Sequence, residues 1–294
     1  MTLPTKTKAF HRTKDGKAIE AVEDSLPDTL QPTEVLIRIH AVSLNYRDVA
    51  MLEGKYPVSV IDQGIPCSDC AATVVAVGNS VSLYKKGDYV SPSFRTKLNT
   101  GRERGASGDA LGGDVDGVLR EYATFDQKCL TKIPRGLSYE EGSTIACAGV
   151  TAWTALERSN KIRPIDYVLL EGTGGVSSFA LLICLAAGIT PIITSSSDRK
   201  LEQMKALCTS EQIILGINYR TTPDIAAEVK KLTNGAGVDV VVNNVGETSV
   251  MSNIDALCDN DGTISVVGFL GGFLNDTEKP NAILPLMGKQ AKLQ

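Results

Sequence analysis

Short apolar segments separated by glycine and polar turns fill the first half of the sequence. Residues 8–12, 34–40, 72–78 and 116–125 have the β-branched and alternating composition typical of strands. Residues 95–116 are polar and glycine-rich without periodicity, which predicts a long surface excursion. Many short strands joined by glycine turns predict a small barrel-like β domain.

From about residue 137 the pattern changes to alternating strands and helices. Ser138 followed by Glu141 predicts a capped helix start that leads towards Ala155. Strands are then predicted at 167–170, 191–194, 212–215, 238–243 and 262–268, and helices at 179–187, 198–207, 223–232 and 249–257. This alternation predicts an α/β fold with a doubly wound parallel sheet, and it divides the chain into domains at 1–132 and 133–294.

One glycine-rich turn joins the first of these strands to its helix. Gly172, Gly174 and Gly175 allow a tight turn and a close approach of the backbone to a ligand, and Gly188 is placed to end the helix. The first amides of the helix then suit a diphosphate. We interpret the turn as a dinucleotide site, and a bare turn is the alternative.

Composition and charge exclude several classes of function. The hydrophobic content of 43% and charged content of 22% are those of a globular protein. A net charge of −4 argues against non-specific nucleic-acid binding and against a membrane-surface role. The N-terminus has no apolar signal core, and the seven cysteines have no disulfide-scaffold spacing. A cytoplasmic location follows as the expectation.

A series of local motifs in a fixed order resembles the medium-chain dehydrogenase/reductase superfamily. The motifs are Asn45-Tyr46-Arg47-Asp48, Pro66-Cys67-Ser68-Asp69, Gly87-Asp88-x-Val90, Leu111-Gly112-Gly113 with Asp116-Gly117-Val118-Leu119, Ala148-Gly149-Val150-Thr151-Ala152-Trp153 and Gly172-x-Gly174-Gly175-Val176. The resemblance implies a GroES-like catalytic domain at 1–132 and a Rossmann NADP-binding domain at 133–294.

The resemblance also bears on zinc. Zinc-dependent members hold the catalytic metal between a cysteine, a histidine and a later cysteine, and the matching positions here are Asn45, Ser68 and Cys147. One thiolate is too few for a catalytic zinc, which takes three protein ligands. No metal site is therefore predicted.

The remaining cysteine and histidine candidates have structural interpretations. Cys67 and Cys70 form a C-x-x-C without a second pair. We therefore favour core or turn positions for them over a role as metal ligands. His11 and His40 lie in strand-like segments far from the motifs, and we interpret them as structural.

Without a metal, the resemblance implies substrates that accept hydride readily, such as quinones and alkenes conjugated to a carbonyl. Their negative charge spreads into an enolate or quinol that hydrogen bonds stabilise. The matching positions in metal-free members line the nicotinamide end, so Tyr46 and Asn45 are the candidate catalytic donors. A phenol packed at the domain boundary is the alternative for Tyr46.

The expected cofactor is NADPH. The second strand of the dinucleotide domain ends at Ser195 and is followed by hydroxyls and cations, whereas NADH sites place an acid there. Asp198 is predicted to be a helix N-cap. The resemblance adds Lys200 and Tyr219 at the 2′-phosphate, and its further cofactor contacts are Thr151, Gly172, Gly174, Gly175, Val176, Asn243, Gly268, Phe269 and Leu270.

The resemblance places the last residues of the sequence at the start of a sixth strand. Members continue with that strand, a helix and a return segment, and they commonly pair through the strand as homodimers. The expectation is either a shortened chain or a natural variant with altered assembly. The leading interpretation is a zinc-independent NADPH oxidoreductase that transfers hydride to a quinone or to an alkene conjugated to a carbonyl. The expected partner is a small-molecule substrate, an enone, a quinone or an aldehyde. An alcohol dehydrogenase-like carbonyl reductase and a non-catalytic NADPH-binding protein are the alternatives.

Overall fold

The computed structural model describes residues 4–98, 100, 103, 108–157, 166–209, 212–274, 279 and 281–294. The chain divides into two compact units, Met1–Ala148 and Gly149–Gln294. The domain boundary expected between residues 132 and 133 remains a prediction. No helix in the described part of the chain combines the length and the apolar character needed to span a membrane.

The first unit is built mainly of antiparallel strands. Its elements are β1 (Lys6–Arg12), β2 (Ile19–Ser25), β3 (Glu34–Ser43), α1 (Tyr46–Leu52), β4 (Asp69–Val77), β5 (Tyr89–Pro92), β6 (Tyr122–Asp126), β7 (Leu130–Lys132) and α2 (Tyr139–Ser143). β1 and β2 form a hairpin, and the other strands form a sheet in the order β6-β3-β4-β5-β7. Alternate residues of β3 and β4, such as Val35, Ile37, Ala72 and Val74, are buried in its core.

Two predicted segments of the first unit differ from the structure. The predicted strand 116–125 is a ladder strand only from Tyr122, because Gly117 to Leu119 bond to the loop at Ile65 to Cys67 instead. Part of the predicted surface excursion 95–116 is buried, since Asp109 and Leu111 are 0% and 2% exposed. Residues 99, 101–102 and 104–107 of that excursion lie outside the described residues.

His11 ties the β1–β2 hairpin to a neighbouring loop. Its Nε2 lies 2.8 Å from Asp24 Oδ2, and its Nδ1 lies 2.8 Å from the Gln63 carbonyl oxygen. Burial lowers the pKa of His11, but these hydrogen bonds and the Asp24 charge outweigh burial and leave the pKa raised. His11 thus has a structural position, as the sequence predicted.

This raised pKa predicts a pH dependence of stability. Protonated His11 contributes its full stabilisation of the folded state below about pH 6.5, which is the pKa of an unfolded histidine. This stabilisation is lost as the pH rises through the pKa of His11 in the folded state. Urea unfolding of wild type and His11→Gln should therefore differ by up to about 1 kcal/mol at pH 6, less at pH 8.5. A difference that is constant across this range would contradict the assignment.

The second unit alternates helices with parallel strands. Its elements are α3 (Val150–Glu157), β8 (Tyr167–Leu170), α4 (Gly175–Ala186), β9 (Thr190–Ser195), α5 (Asp198–Lys205), β10 (Leu215–Asn218), α6 (Ile225–Leu232), β11 (Val240–Asn243), α7 (Val250–Ala256), β12 (Thr263–Val266), α8 (Ile283–Gly288) and β13 (Lys292–Leu293). The strands pair in parallel in the order β10-β9-β8-β11-β12-β13. The predicted doubly wound α/β sheet is confirmed.

The central strands β8, β9 and β11 are buried on both faces, as the near-continuous apolar sequence of β8 and β11 requires. Val168 and Leu170 pack with α4 in one core, and Leu169 packs in a second core on the opposite face. Because parallel strands all end at the same edge, the residues that follow them are brought together there.

Three further predictions for residues 138–215 are corrected. The strand predicted at 212–215 begins at Leu215, because Gln212 donates to the Leu185 carbonyl at the end of α4 and Ile213 is 63% exposed. The helix from Ser138 is interrupted by a π-turn at Ile145–Gly149. Ser197, not Asp198, is the N-cap of α5.

Candidate functional site

Asn45 and Tyr46, the predicted catalytic residues, lie at the start of α1. Asn45 is the N-cap, with an extended backbone, and its N–H donates to Asp48 Oδ2 over 2.8 Å. This interaction satisfies one of the N–H groups that a helix start leaves without an intrahelical partner. Tyr46, the first helical residue, is 48% exposed.

The Asp69 carboxylate joins Asn45 to two other segments of the first unit. Asp69 is fully buried, and its Oδ2 accepts from Asn45 Nδ2 over 3.2 Å and from the Cys147 N–H over 3.1 Å. Its Oδ1 accepts from Ser68 Oγ over 2.9 Å. Burial raises the pKa of Asp69, although these bonds oppose the increase. Cys147 lies within the π-turn at Ile145–Gly149, so this carboxylate also holds the turn.

Two buried arginines, which the sequence did not single out, support α1. Arg47 donates to the Leu111 carbonyl over 2.9 Å, and its guanidinium carbon lies 4.7 Å from the Phe94 ring centroid. Arg12 donates to the Gly112 carbonyl and to Met51 Sδ. The bonds to the Leu111 and Gly112 carbonyls tie the loop around residue 112 to neighbouring segments. Neither the motif position of Arg47 nor the predicted strand that ends at Arg12 indicated that these cations would be buried.

The glycine turn of the second unit has the predicted form. Gly172 has φ +77°, a conformation that glycine adopts without steric cost, and its N–H donates to Thr194 Oγ1 over 3.0 Å. Gly174 is the N-cap of α4, and a Cβ built there would meet no atom within 4 Å. Gly175 and Val176 form the first turn of the helix. Backbone N–H groups at such a turn can donate hydrogen bonds to a diphosphate, and the cofactor contacts of these residues remain predictions.

The loops after β11 and β12 approach each other at the same edge of the sheet. Asn243 is fully buried, and its Nδ2 donates to the Gly246 carbonyl, Ser249 Oγ and Asn253 Oδ1. A Cβ on Gly268 would lie 2.4 Å from the Asn244 carbonyl oxygen, so only glycine permits this approach. The described contacts of Asn243 thus shape the loop, and its predicted cofactor contact remains a prediction.

Glu171 connects the glycine turn to the loop after β11, and the sequence did not single it out. It is 4% exposed; Oε2 accepts from the Val245 N–H over 3.0 Å and Oε1 from Asn253 Nδ2 over 2.8 Å. Its carbonyl accepts from Ser177 Oγ and Asn244 Nδ2. A carboxylate between a strand and a glycine turn is the sequence signal that was available.

The ends of β9 and β10 are paired at Ser195 and Asn218, and the Tyr219 N–H donates to the Ser195 carbonyl over 3.0 Å. Ser195 is 3% exposed, whereas the Tyr219 ring is 43% exposed. Lys200 is exposed in the first turn of α5. The structure therefore brings these three predicted residues to one edge.

The remaining predicted residues lie near strand ends or helix starts of the second unit. Phe269 stacks on Phe273 with ring centroids 5.6 Å apart, and Leu270 is 54% exposed. Thr151 is the second residue of α3. The cofactor roles of these residues remain predictions.

Comparisons with known proteins agree with this architecture. A model of the alcohol dehydrogenase GroES-like domain matches residues 31–135, and a model of zinc-binding dehydrogenases matches residues 175–294. A zinc-type alcohol dehydrogenase-like protein of Schizosaccharomyces pombe is 41% identical over 251 residues, which are 84% of this chain and 71% of that protein. The chain belongs to the medium-chain dehydrogenase/reductase superfamily.

Membership of the superfamily confirms the predicted GroES-like and Rossmann domain types and makes the chain an oxidoreductase. The structure of a putative alcohol dehydrogenase from Sinorhizobium meliloti 1021 superposes with a TM-score of 0.84 at 32% identity, covering 99% of this chain and 84% of that one. The phthioceranic/hydroxyphthioceranic acid synthase of Mycobacterium tuberculosis is 27% identical over 255 residues, 85% of this chain and 10% of that protein.

Two of the matched names, one of a family model and one of a relative, mention zinc. The residues at the corresponding positions of this chain do not fit a zinc site. The family resemblance places Asn45, Ser68 and Cys147 at the ligand positions. The side chains of Asn45 and Ser68 and the backbone N–H of Cys147 bond to the Asp69 carboxylate. Cys147 is then the one thiol at these positions, whereas a catalytic zinc takes three protein ligands. Within the described ranges, no three His, Cys, Asp or Glu side chains are grouped to hold a metal ion.

Proposed function

We propose that this chain is a zinc-independent, NADPH-dependent oxidoreductase that transfers hydride to a quinone or to an alkene conjugated to a carbonyl. The observation that carries the proposal is the Asp69 carboxylate, which joins the three segments that would supply zinc ligands. A carboxylate with an amide, a hydroxyl and a backbone N–H around it is not a Lewis acid. The substrate must therefore accept hydride without metal assistance.

NADPH would supply the hydride, and the chain supplies hydrogen-bond donors for the charge that develops on the substrate oxygen. The Asn45 side-chain amide has two N–H groups and donates one to Asp69. Its second N–H is available to an enolate or quinol oxygen, and the carboxylate partner fixes the orientation of the amide. The Tyr46 hydroxyl is the candidate proton donor.

A phenylalanine substitution tests Tyr46. If Tyr46 donates a proton, Tyr46→Phe should lower kcat by about 100-fold and leave the KM for NADPH unchanged. Because the ring is 48% exposed, the free energy of unfolding should change by less than about 0.5 kcal/mol. Steady-state kinetics with a quinone and with an enone provide the measurement. An unchanged kcat would remove Tyr46 from the chemistry.

The preference for NADPH is supported by the charges at the end of β9. Ser195 to Ser197 offer hydroxyls, and Arg199 and Lys200 offer cations in the first turn of α5. A 2′-phosphate carries close to two negative charges and favours such donors. The Tyr219 ring is exposed beside them.

Charge reversal at Lys200 tests this preference. Lys200→Glu should raise the KM for NADPH at least about tenfold and change the KM for NADH by less than about threefold, since only NADPH carries the 2′-phosphate. Lys205→Glu makes the same charge change at the other end of α5 and serves as the control. Equal effects of Lys200→Glu on both nucleotides would contradict the assignment.

One experiment tests the whole proposal. Purified protein is analysed for zinc and titrated with NADPH and NADH by nicotinamide fluorescence, and quinones, enones and simple aldehydes are then screened as substrates. The proposal predicts no stoichiometric zinc, tighter binding of NADPH and turnover of quinones or enones. Stoichiometric zinc, or turnover of simple aldehydes that requires added zinc, would contradict it.

The second candidate is an alcohol dehydrogenase or carbonyl reductase of the same superfamily. The observation in its favour is the 41% identity to the Schizosaccharomyces pombe protein, whose name is that of a zinc-type alcohol dehydrogenase-like protein. The aldehyde arm of the same screen separates the two candidates. A cytoplasmic location and a homodimer remain proposals, which fractionation and size-exclusion chromatography test.

A further inference from the structure

The ends of β9 and β10 contain one acidic residue among several cations. In the stretch from Ser195 to Lys200 the acid is Asp198, the first residue of α5, and it is exposed. An exposed carboxylate at this edge has two possible effects on the cofactor. It can accept hydrogen bonds from the ribose hydroxyls of NADH, and it repels the 2′-phosphate of NADPH.

The Asp198 carboxylate is bound by the neighbouring strand. Asn218, the last residue of β10, donates from Nδ2 to Asp198 Oδ1 over 2.7 Å. Asn218 Oδ1 accepts from the Arg220 N–H over 3.1 Å. Because a backbone N–H can only donate, this second bond fixes the Asn218 oxygen, and the NH₂ group must face Asp198.

The geometry points to Asn218 as a residue that determines cofactor specificity, by binding Asp198 and so suppressing an acid that would otherwise favour NADH. This inference rests on the proposed function for the binding of a nicotinamide nucleotide at this edge. The side-chain bond occupies Asp198 Oδ1 and orients the carboxylate towards β10. The cations Arg199 and Lys200 in the same helical turn are then the groups left to recognise a phosphate.

Alanine at position 218 removes the donor and releases the Asp198 carboxylate. The quantity to measure is the specificity ratio, defined as the Kd for NADH divided by the Kd for NADPH, from fluorescence titrations. Asn218→Ala should lower this ratio about tenfold, a change expected for one freed carboxylate acting on two nucleotides in opposite directions. Asp198→Asn should raise the ratio, because it removes the acid and keeps the shape of the side chain.

The double variant separates this mechanism from a general loss of structure. If Asn218 acts through Asp198, Asn218→Ala/Asp198→Asn should have the ratio of Asp198→Asn within about twofold, since the two effects are coupled and not additive. Thr221→Ala removes a hydroxyl bonded to the Asn218 carbonyl and leaves the Asn218–Asp198 pair intact. It should leave the ratio unchanged and thus controls for disturbance of the loop.

The outcomes distinguish this inference from the proposed function. A wild-type specificity ratio at or below one contradicts the NADPH assignment of the proposed function. The inference is tested separately, by whether the effects of substitutions at positions 218 and 198 on this ratio are coupled. The inference is overturned if Asn218→Ala changes the ratio equally in the wild-type and Asp198→Asn backgrounds. It is also overturned if Asp198→Asn leaves the ratio unchanged, and this second test does not depend on the folding of the alanine variant. A wild-type chain that binds neither nucleotide overturns both.

Discussion

Asp69→Ala is expected to lower the free energy of unfolding by about 3–4 kcal/mol. The substitution leaves Asn45 Nδ2 and the Cys147 N–H without their acceptor at a position that is fully buried. Each buried donor left unsatisfied costs about 1–3 kcal/mol. Urea unfolding measures the loss, and kcat should fall with it because the Asn45 amide loses the group that orients it.

Asp69→Asn is the matched control and should cost less than about 1.5 kcal/mol. An asparagine oxygen can accept from Asn45 and Cys147, and its NH₂ can donate to Ser68 Oγ, because a hydroxyl also accepts. Burial raises the pKa of Asp69, so the folded state binds the proton more tightly and wild-type stability falls as the pH rises from about 4 to the folded pKa. Asp69→Asn should lack this dependence. Equal losses in both variants would show that charge, not hydrogen bonding, holds the cluster.

Glu171→Gln is expected to lower the free energy of unfolding by about 2–3 kcal/mol, although it is as conservative as Asp69→Asn. Glu171 accepts from the Val245 N–H and from Asn253, whose oxygen accepts from Asn243. Asn243 in turn accepts from the Gly246 N–H. The Val245 and Gly246 N–H groups at the two ends of this series can only donate, so the series needs an acceptor at each end. A glutamine at 171 adds a donor to it. Rotating the Asn243 or Asn253 amide by 180° only moves the place where two N–H donors face each other.

The same substitution should weaken NADPH binding by about tenfold, because Glu171 joins the glycine turn to the loop after β11. Thermal unfolding and fluorescence titration provide the two measurements. Glu247→Gln is the control, since Glu247 lies in the same loop but its side chain is 39% exposed. It should change stability by less than about 1 kcal/mol. Comparable effects of the two substitutions would contradict the role given to Glu171.

Much of the fold follows from local sequence. The capping box at Ser138 and Glu141 forms as predicted, with the Glu141 N–H donating to Ser138 Oγ over 3.1 Å. Gly172 adopts a positive φ, and Gly188 ends α4 with φ +71°. Such features depend on backbone sterics and on groups three or four residues apart, which a single sequence displays.

Long-range packing decided the departures from these predictions. Ile213 and Ile214 have the composition of a strand, but pairing with β9 begins at Leu215 because the preceding residues pack on the end of α4. The helix after Ser138 gives way to a π-turn at Ile145–Gly149, and within this turn the Cys147 N–H donates to a carboxylate 78 residues away. Neither partner can be identified from the neighbouring sequence.

The sequence by itself determined the superfamily, the parallel sheet and the glycine turn, because these depend on periodicity, turn residues and the order of motifs. Only the tertiary structure showed that Asp69 joins Asn45, Ser68 and Cys147, that Glu171 links two loops, and that Asn218 binds Asp198. In each case a buried or paired carboxylate has partners from other strands or loops. A carboxylate acts on whatever donor lies within about 3 Å, and only folding determines which donor that is.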